Sequence, residues 1–228
     1  MTRPAFAAAC RTTLVLRTLA LLLPSALCAC QPPSASPTNA DKPVELKVRP
    51  RPQQAYRIVM TIENAPGPFA QIVGSARYDV VNYQACGELS RIRGAEGVAS
   101  RIETQPEVRM ERLSDNTYAA TVHADLMIDD DYYGRGTCHW KFSYFSALLR
   151  ATGDERETRF LPSIDAEEIT SAKHVTRFFW KGGYPVDMPL PSTGIGYADF
   201  GYASPARFKP EIRDQLFTIT LESVDAQP

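Results

Sequence analysis

The sequence predicts a mainly β protein: a single antiparallel β-sandwich of about eight strands with one short helix and long Pro/Gly-rich loops. Three observations lead there. Apolar and polar residues alternate over several short stretches, the period-two pattern of a strand with one buried face. Clusters of Gly, Pro, Asn and Asp punctuate those stretches as tight turns. Only one segment carries the marks of a helix start, so helices contribute little to the layers. With 228 residues, 44% hydrophobic and 22% charged, the chain has the composition of an ordinary globular protein.

The strands follow in order. Tyr56, Ile58, Met60 and Ile62 alternate with Arg57, Val59 and Thr61 until Ala65-Pro66-Gly67-Pro68 stops the run. Residues 69–73 continue or bulge at Gly74, and residues 76–83, with Tyr78 and Val80, lead towards Cys86. A polar loop containing Arg91, Arg93 and Glu96 comes next. Val108, Met110 and Leu113 suggest a short strand before the turn Ser114-Asp115-Asn116.

Residues 124–140, ADLMIDDDYYGRGTCHW, form the stretch around which the rest is organised. Tyr118, Ala120, Val122, Ala124, Leu126 and Ile128 read as one face of a strand that ends at Asp129. Asp129, Asp130 and Asp131 repel one another and are expected in a solvent-facing loop, with Gly134 and Gly136 supplying turn freedom. Cys138, Trp140, Phe142 and Tyr144 then share one face of a second strand. Further on, Gly153-Asp154-Glu155 is a charged turn, and Ser163 with Asp165, Glu167 and Glu168 reads as a capped short helix. Residues 175–180 are strand formers. Prolines and glycines make residues 184–210 a long surface excursion, and Phe217, Ile219, Leu221 and Val224 close the fold. An immunoglobulin-type domain sets its aromatic between two cysteines, whereas Trp140 follows the second, so the architecture alone is inferred.

No catalytic arrangement is legible. His123, His139 and His174 lack partners at zinc-ligand spacing, and there is no G-x-S-x-G elbow. Gly194-Ile195-Gly196-Tyr197-Ala198-Asp199 places an aspartate where the third glycine of a dinucleotide loop belongs. No cofactor and no resident metal are therefore expected. The acidic triplet has three readings: a solvated turn, a calcium site, although the ligand spacing of an EF-hand loop is missing, or a contact surface. The last groups Asp129, Asp130, Asp131, Tyr132, Tyr133 and Arg135 as partner-binding residues, since tyrosine and arginine are favoured at binding hot spots.

The N-terminus reads as a processing segment, with Arg3, Arg11 and Arg17, an apolar run and then small residues. Leu27-Cys28-Ala29-Cys30 resembles the lipobox of bacterial lipoproteins, although Cys28 stands where alanine, serine or threonine is usual. That resemblance implies a signal peptide at residues 1–29, lipidation of Cys30, and, because Gln31 replaces an aspartate, sorting to the outer membrane on its periplasmic side. An ordinary signal peptide cleaved near Ala29 is the other reading. Loss of residues 1–29 moves the formal charge from −1 to −4, since three arginines and no acid leave, and nucleic-acid binding is not expected. Residues 30–54, rich in proline, read as a tether of about 75 Å when extended, and residues 55–228 as the sandwich domain.

With Cys10 and Cys28 removed and Cys30 acylated, Cys86 and Cys138 remain as a pair, and an oxidising periplasm permits their bond. Two unpaired buried thiols are the alternative. Tyr78, Asn82 and Cys86 together with residues 130–140 resemble a family of uncharacterised Gram-negative envelope proteins, some encoded beside secreted antibacterial effectors. The expectation is a protein-binding module rather than an enzyme, an immunity protein that neutralises a secreted toxin or effector in the periplasm. A structural or assembly lipoprotein of an envelope complex is the runner-up.

Overall fold

Two sheets are built from the strands that alternation marks out. The computed structural model describes residues 44–91, 94–187 and 189–224. Among them are twelve strands: β1 (Ala55–Glu63), β2 (Gln71–Val80), β3 (Glu103–Thr104), β4 (Glu107–Val108), β5 (Glu111–Arg112), β6 (Thr117–His123), β7 (Trp140–Arg150), β8 (Arg159–Phe160), β9 (Ser163–Asp165), β10 (His174–Trp180), β11 (Ala198–Asp199) and β12 (Leu216–Val224). Two short helices join them, α1 (Tyr83–Cys86) and α2 (Ala166–Thr170). The count exceeds eight because several two-residue strands are pinned by long neighbours that periodicity cannot reveal.

The five-stranded sheet has the order β10-β12-β1-β6-β5. The seven-stranded sheet runs β11-β8-β7-β2-β3, with β4 also on β2 and β9 also on β7. All pairings are antiparallel except β11 with β8, which are parallel.

The inward faces of the two sheets share one core. Ile58, Met60 and Ile62 from β1 and Phe217, Ile219 and Leu221 from β12 meet Ala76 and Tyr78 from β2 and Phe145, Ala147 and Leu149 from β7. This is sandwich-like packing of alternate residues. Phe160 of β8 ties one sheet to the other: its ring lies 5.6 Å from Phe179 and 5.3 Å from Phe217, both edge-on. Such ring pairs contribute about 0.5–1.5 kcal/mol each beyond the area they bury.

Several local readings are corrected. β2 runs unbroken through Gly74, whose missing side chain admits Met110 and the Val108 carbonyl, each 2.8 Å from where a Cβ would stand. The irregularity lies instead in β7, where Arg77 pairs with Tyr144 but Tyr78 with Phe142, leaving Ser143 as an extra residue. That bulge switches the inward face, so Phe142 and Phe145 are buried while Tyr144 is turned away from the core. β6 stops at His123 rather than continuing to Asp129, because the chain turns at Ala124 and Asp125. The helix begins after Asp165, not Ser163: the Asp165 amide donates to the Glu168 carboxylate at 3.0 Å in a capping box.

Residues 184–210 are also more ordered than their composition suggests. They contribute β11, and the Arg159 and Leu161 amides donate to the Tyr197 and Asp199 carbonyls at 2.8 Å each. Gly196 is buried, and a Cβ there would stand 1.7 Å from the Glu157 carbonyl oxygen. The glycine is therefore what lets this segment lie against its neighbour.

Candidate functional site: the 129–135 loop

The ends of β2 and β7 lie side by side, with Val80 opposite Trp140. α1 carries Cys86 back towards that junction, and Cys86 and Cys138 are joined by a disulfide, Cα to Cα 5.3 Å. Asn82 clamps the same place from both sides: its Oδ1 accepts the His139 amide at 2.8 Å, and its Nδ2 donates to the Thr137 carbonyl at 2.9 Å. Val80, Cys86, Ile102 and Cys138 form a small second core, against which Tyr132, Tyr133 and Trp140 pack. Closing a loop with a separation of 52 residues restricts the unfolded chain by about 4 kcal/mol in the chain-entropy account.

Upon this base the three aspartates each find a separate partner, while Asp129 and Asp131 stay exposed as the sequence leads one to expect. Asp129 Oδ2 meets His139 Nδ1 at 2.8 Å, and Asp129 Oδ1 accepts the Trp140 amide at 2.8 Å. Asp130 forms an ion pair with Lys47, and its backbone bridges Cys138, whose amide donates to the Asp130 carbonyl at 2.9 Å. Asp131 Oδ1 accepts the Arg135 amide at 3.0 Å. Mutual repulsion is thus relieved by local donors, which the linear sequence does not display.

The electrostatics follow from those donors. Partial burial pushes the Asp129 carboxyl up, but the His139 ring and the Trp140 amide outweigh it and hold the group below the usual carboxylate range. Desolvation also acts on Asp131, and backbone amides including those of Gly136 and Arg135 overcome it in the same direction. The Tyr133 hydroxyl is raised, first by burial and then by Glu88 and Tyr132.

Tyr132 and Tyr133 are half-buried. Tyr132 sets its ring edge-on to Trp140 at 6.2 Å and donates its hydroxyl to the Ile128 carbonyl at 2.5 Å, so part of it is structural. Arg135 reaches across to the Gly87 and Gln84 carbonyls near the end of α1. Gly134 and Gly136, at φ +70 and +107, have nothing within 4 Å of a Cβ position, so they are used for conformation and not for space. Beside the loop runs a groove of about 370 Å³ lined by Glu88, Leu89, Ser90, Arg91, Gly97, Tyr133 and Arg135.

Sequence reasoning missed the outer support. Residues 44–54, read as tether, lie along the start of the loop: Val48 bridges Met127, the Arg49 amide donates to the Leu126 carbonyl at 2.7 Å, and the Ile128 amide to the Lys47 carbonyl at 3.0 Å. Asp125 accepts the Gln53 and Gln54 amides at 2.9 Å each. Burial pushes its carboxyl up, but those amides and Arg49 prevail and lower it. Leu46 packing on the core was the available signal, hidden by the density of prolines. Cys30 lies outside the described residues. Among those residues no group of three or more His, Cys, Asp or Glu is arranged to hold a metal ion, and no helix is long and apolar enough to cross a membrane. Comparison with protein-family models, curated proteins and solved structures finds no match.

Proposed function

We propose that the chain is a lipid-anchored protein of the outer membrane, facing the periplasm, whose folded domain binds a protein partner, an immunity protein that neutralises an antibacterial effector in that compartment. Its contact surface is the 129–135 loop with the adjoining groove. One observation carries the reading: the loop is fixed before any partner arrives. The disulfide at its base, the Lys47–Asp130 and Asp129–His139 pairs and the Arg135 contacts to Gly87 and Gln84 hold it in one shape. A pre-fixed surface loses little conformational freedom on binding. Asp129 and Asp131 remain exposed enough to attract a basic site, while Tyr133 and the groove offer apolar contact.

The lipobox resemblance at Cys30 supplies the anchor, and the basic start, apolar run and small residues of the leader fit export. The test is protection. Secreted proteins encoded beside this gene are directed to the periplasm of cells that carry or lack it. Survival that depends on this protein supports immunity, and loss of survival in the triple Asp129→Asn, Asp130→Asn, Asp131→Asn variant assigns the loop. With the purified partner, that variant should slow association and flatten its salt dependence, whereas Tyr133→Ala should mainly speed dissociation. Survival that never depends on the protein overturns the immunity reading in favour of an assembly role.

A further inference from the structure

A second surface lies at the other end of the five-stranded sheet. The 129–135 loop belongs to the end where Ala55 pairs with His123, while Trp180 pairs with Leu216, beyond the pairing of Glu63 with Thr218. Along the edge strand β10, Phe178 and Trp180 share the outward face, since they are two residues apart. Tyr202 pairs with Phe178 through two backbone hydrogen bonds of 2.8 and 3.0 Å, which extends that face by one more aromatic. Phe208 stands edge-on to Tyr202 at 4.9 Å. Trp180, Phe200 and Tyr202 are 40%, 64% and 45% exposed, an unusual grouping of large aromatics for a surface that covers nothing.

Two details make this face rigid. Gly182 has no side chain, and a Cβ there would stand 2.2 Å from the Trp180 ring, so the indole packs against the backbone at that point while Trp180 stays exposed. Gly201, at φ +66, brings the backbone against Phe179, 2.7 Å from a Cβ position, and so seats Tyr202 on the edge of β10.

The charges around it are mostly positive. Arg207 lies 5.6 Å from the Tyr202 ring centroid, and Arg213 donates to the Phe208 and Ala206 carbonyls at 3.1 and 3.2 Å. The Lys181 amide donates to Gln215 at 2.9 Å, which places that lysine beside the same segment, and Lys209 is exposed next to Phe208. None of the ion pairs between described residues uses Lys181, Arg207, Lys209 or Arg213. The acids of the segment are Glu211 and Asp214, also without an ion pair. The four cations outnumber those two acids, and an excess of positive charge beside an aromatic face suits an anion from outside.

We propose that this aromatic and basic face is a docking surface for an acidic protein segment. Aromatic side chains and arginine are the types that dominate protein hot spots, and an acidic partner supplies the missing counter-charges. A lipid surface fits less well, because the face lies at the opposite end of the sheet from residues 44–54, which follow Cys30 in the chain. That last argument depends on the anchor proposed above; the aromatic and charge arguments do not.

The test uses the isotopically labelled mature protein and poly-L-glutamate as the acidic probe, with phosphatidylglycerol vesicles in parallel. The expected result is a set of NMR shifts confined to the Trp180 indole, Tyr202, Phe208 and their neighbours, with binding that weakens as salt rises. Arg207→Glu with Lys209→Glu should weaken binding about tenfold, as complementary charges are replaced by like ones. The exposed position of both residues leaves the fold intact, which an unchanged melting temperature checks. Arg109→Glu, a cation outside this face, should bind as wild type. Shifts spread over other basic residues, equal loss in Arg109→Glu, tighter binding to the vesicles than to poly-L-glutamate, or no binding would each overturn the proposal. Membrane fractionation of Cys30→Ser tests the anchor separately, so failure of one reading is not mistaken for failure of the other.

Discussion

Asp129 and His139 face each other at the base of the loop, Oδ2 to Nδ1 2.8 Å, while the other oxygen of Asp129 holds the amide of the residue after His139. The arrangement gives one carboxylate two donors on the strand that follows the disulfide. It fixes the direction in which the loop leaves the sheet.

Acid should loosen this contact in a defined window. The folded-state pKa of Asp129 is lowered, the donors outweighing burial, so its contribution is present above the unfolded value of about 3.9 and is lost as pH falls through the lower folded value. Denaturant midpoints of wild type and Asp129→Asn should therefore differ at pH 7 and converge as pH falls through that lowered folded value. The Asp129 side chain is 46% exposed, so solvent screens its pairing with His139. NMR titration should place the carboxyls of Asp125, Asp129 and Asp131 below ordinary aspartates, and an ordinary value for Asp129 would contradict the geometry.

Replacing both cysteines, Cys86→Ala with Cys138→Ala, should cost about 4 kcal/mol, within the range of native bridges in exported domains. The loss should be largest locally, with faster amide exchange at Asp130 and Cys138, which are bridged directly beside the bond. Urea unfolding with and without reductant reads the first effect. A wild type indifferent to reductant would show that the clamp is made by Asn82 alone.

Gly196→Ala and Gly194→Ala form a contrasting pair. At 196 the added carbon meets the Glu157 carbonyl at 1.7 Å, which only backbone movement can relieve, and a loss above about 3 kcal/mol is expected. Gly194 has φ +70 with nothing within 4 Å, so the cost there is the left-handed conformation alone, about 1–2 kcal/mol. Equal melting temperatures for the two variants would refute the assignment of close packing at Gly196.

Tyr78→Phe removes a single hydroxyl that donates to the His123 carbonyl at 2.7 Å from inside the core. The carbonyl keeps the Leu126 amide at 3.3 Å, so loss of the hydroxyl's bond should cost about 0.5–1.5 kcal/mol. Burial and then Asp125 push the Tyr78 hydroxyl up to about 12. The neutral form thus stabilises the fold below the unfolded value of about 10, and this contribution falls away as pH rises towards the folded value. Absorbance titration of the phenols should show one tyrosine ionising last in the wild type and missing in Tyr78→Phe.

Alternation was enough to find β1 and β12, because each has one face in a shared core and the other outside it, while β10 was marked by its strand-forming residues. Cysteine arithmetic likewise reached the Cys86–Cys138 bond. What stayed hidden depends on contacts distant in sequence. Ser143 becomes a bulge only when β2 fixes the register of β7, and the run Phe142, Ser143, Tyr144, Phe145 is compatible with either face. In the candidate site, the residues were legible but their partners were not: Lys47 and Asn82 serve the loop from far along the chain. Three adjacent carboxylates therefore looked like mutual repulsion, whereas the fold supplies each with its own donor.

The position of β12 has a consequence for biogenesis. It lies between β1 and β10, making seven register pairs with each, although β1 precedes it by most of the domain. A chain made from its N-terminus can pair β1 with β6 early, but the middle of the sheet stays vacant until β12 is released. Premature completion of the sheet is thereby disfavoured, since the long-range pairing that closes it arrives late. The same delay leaves one edge of β1 open in the interval, a state in which a chaperone would find an unpaired strand to guard.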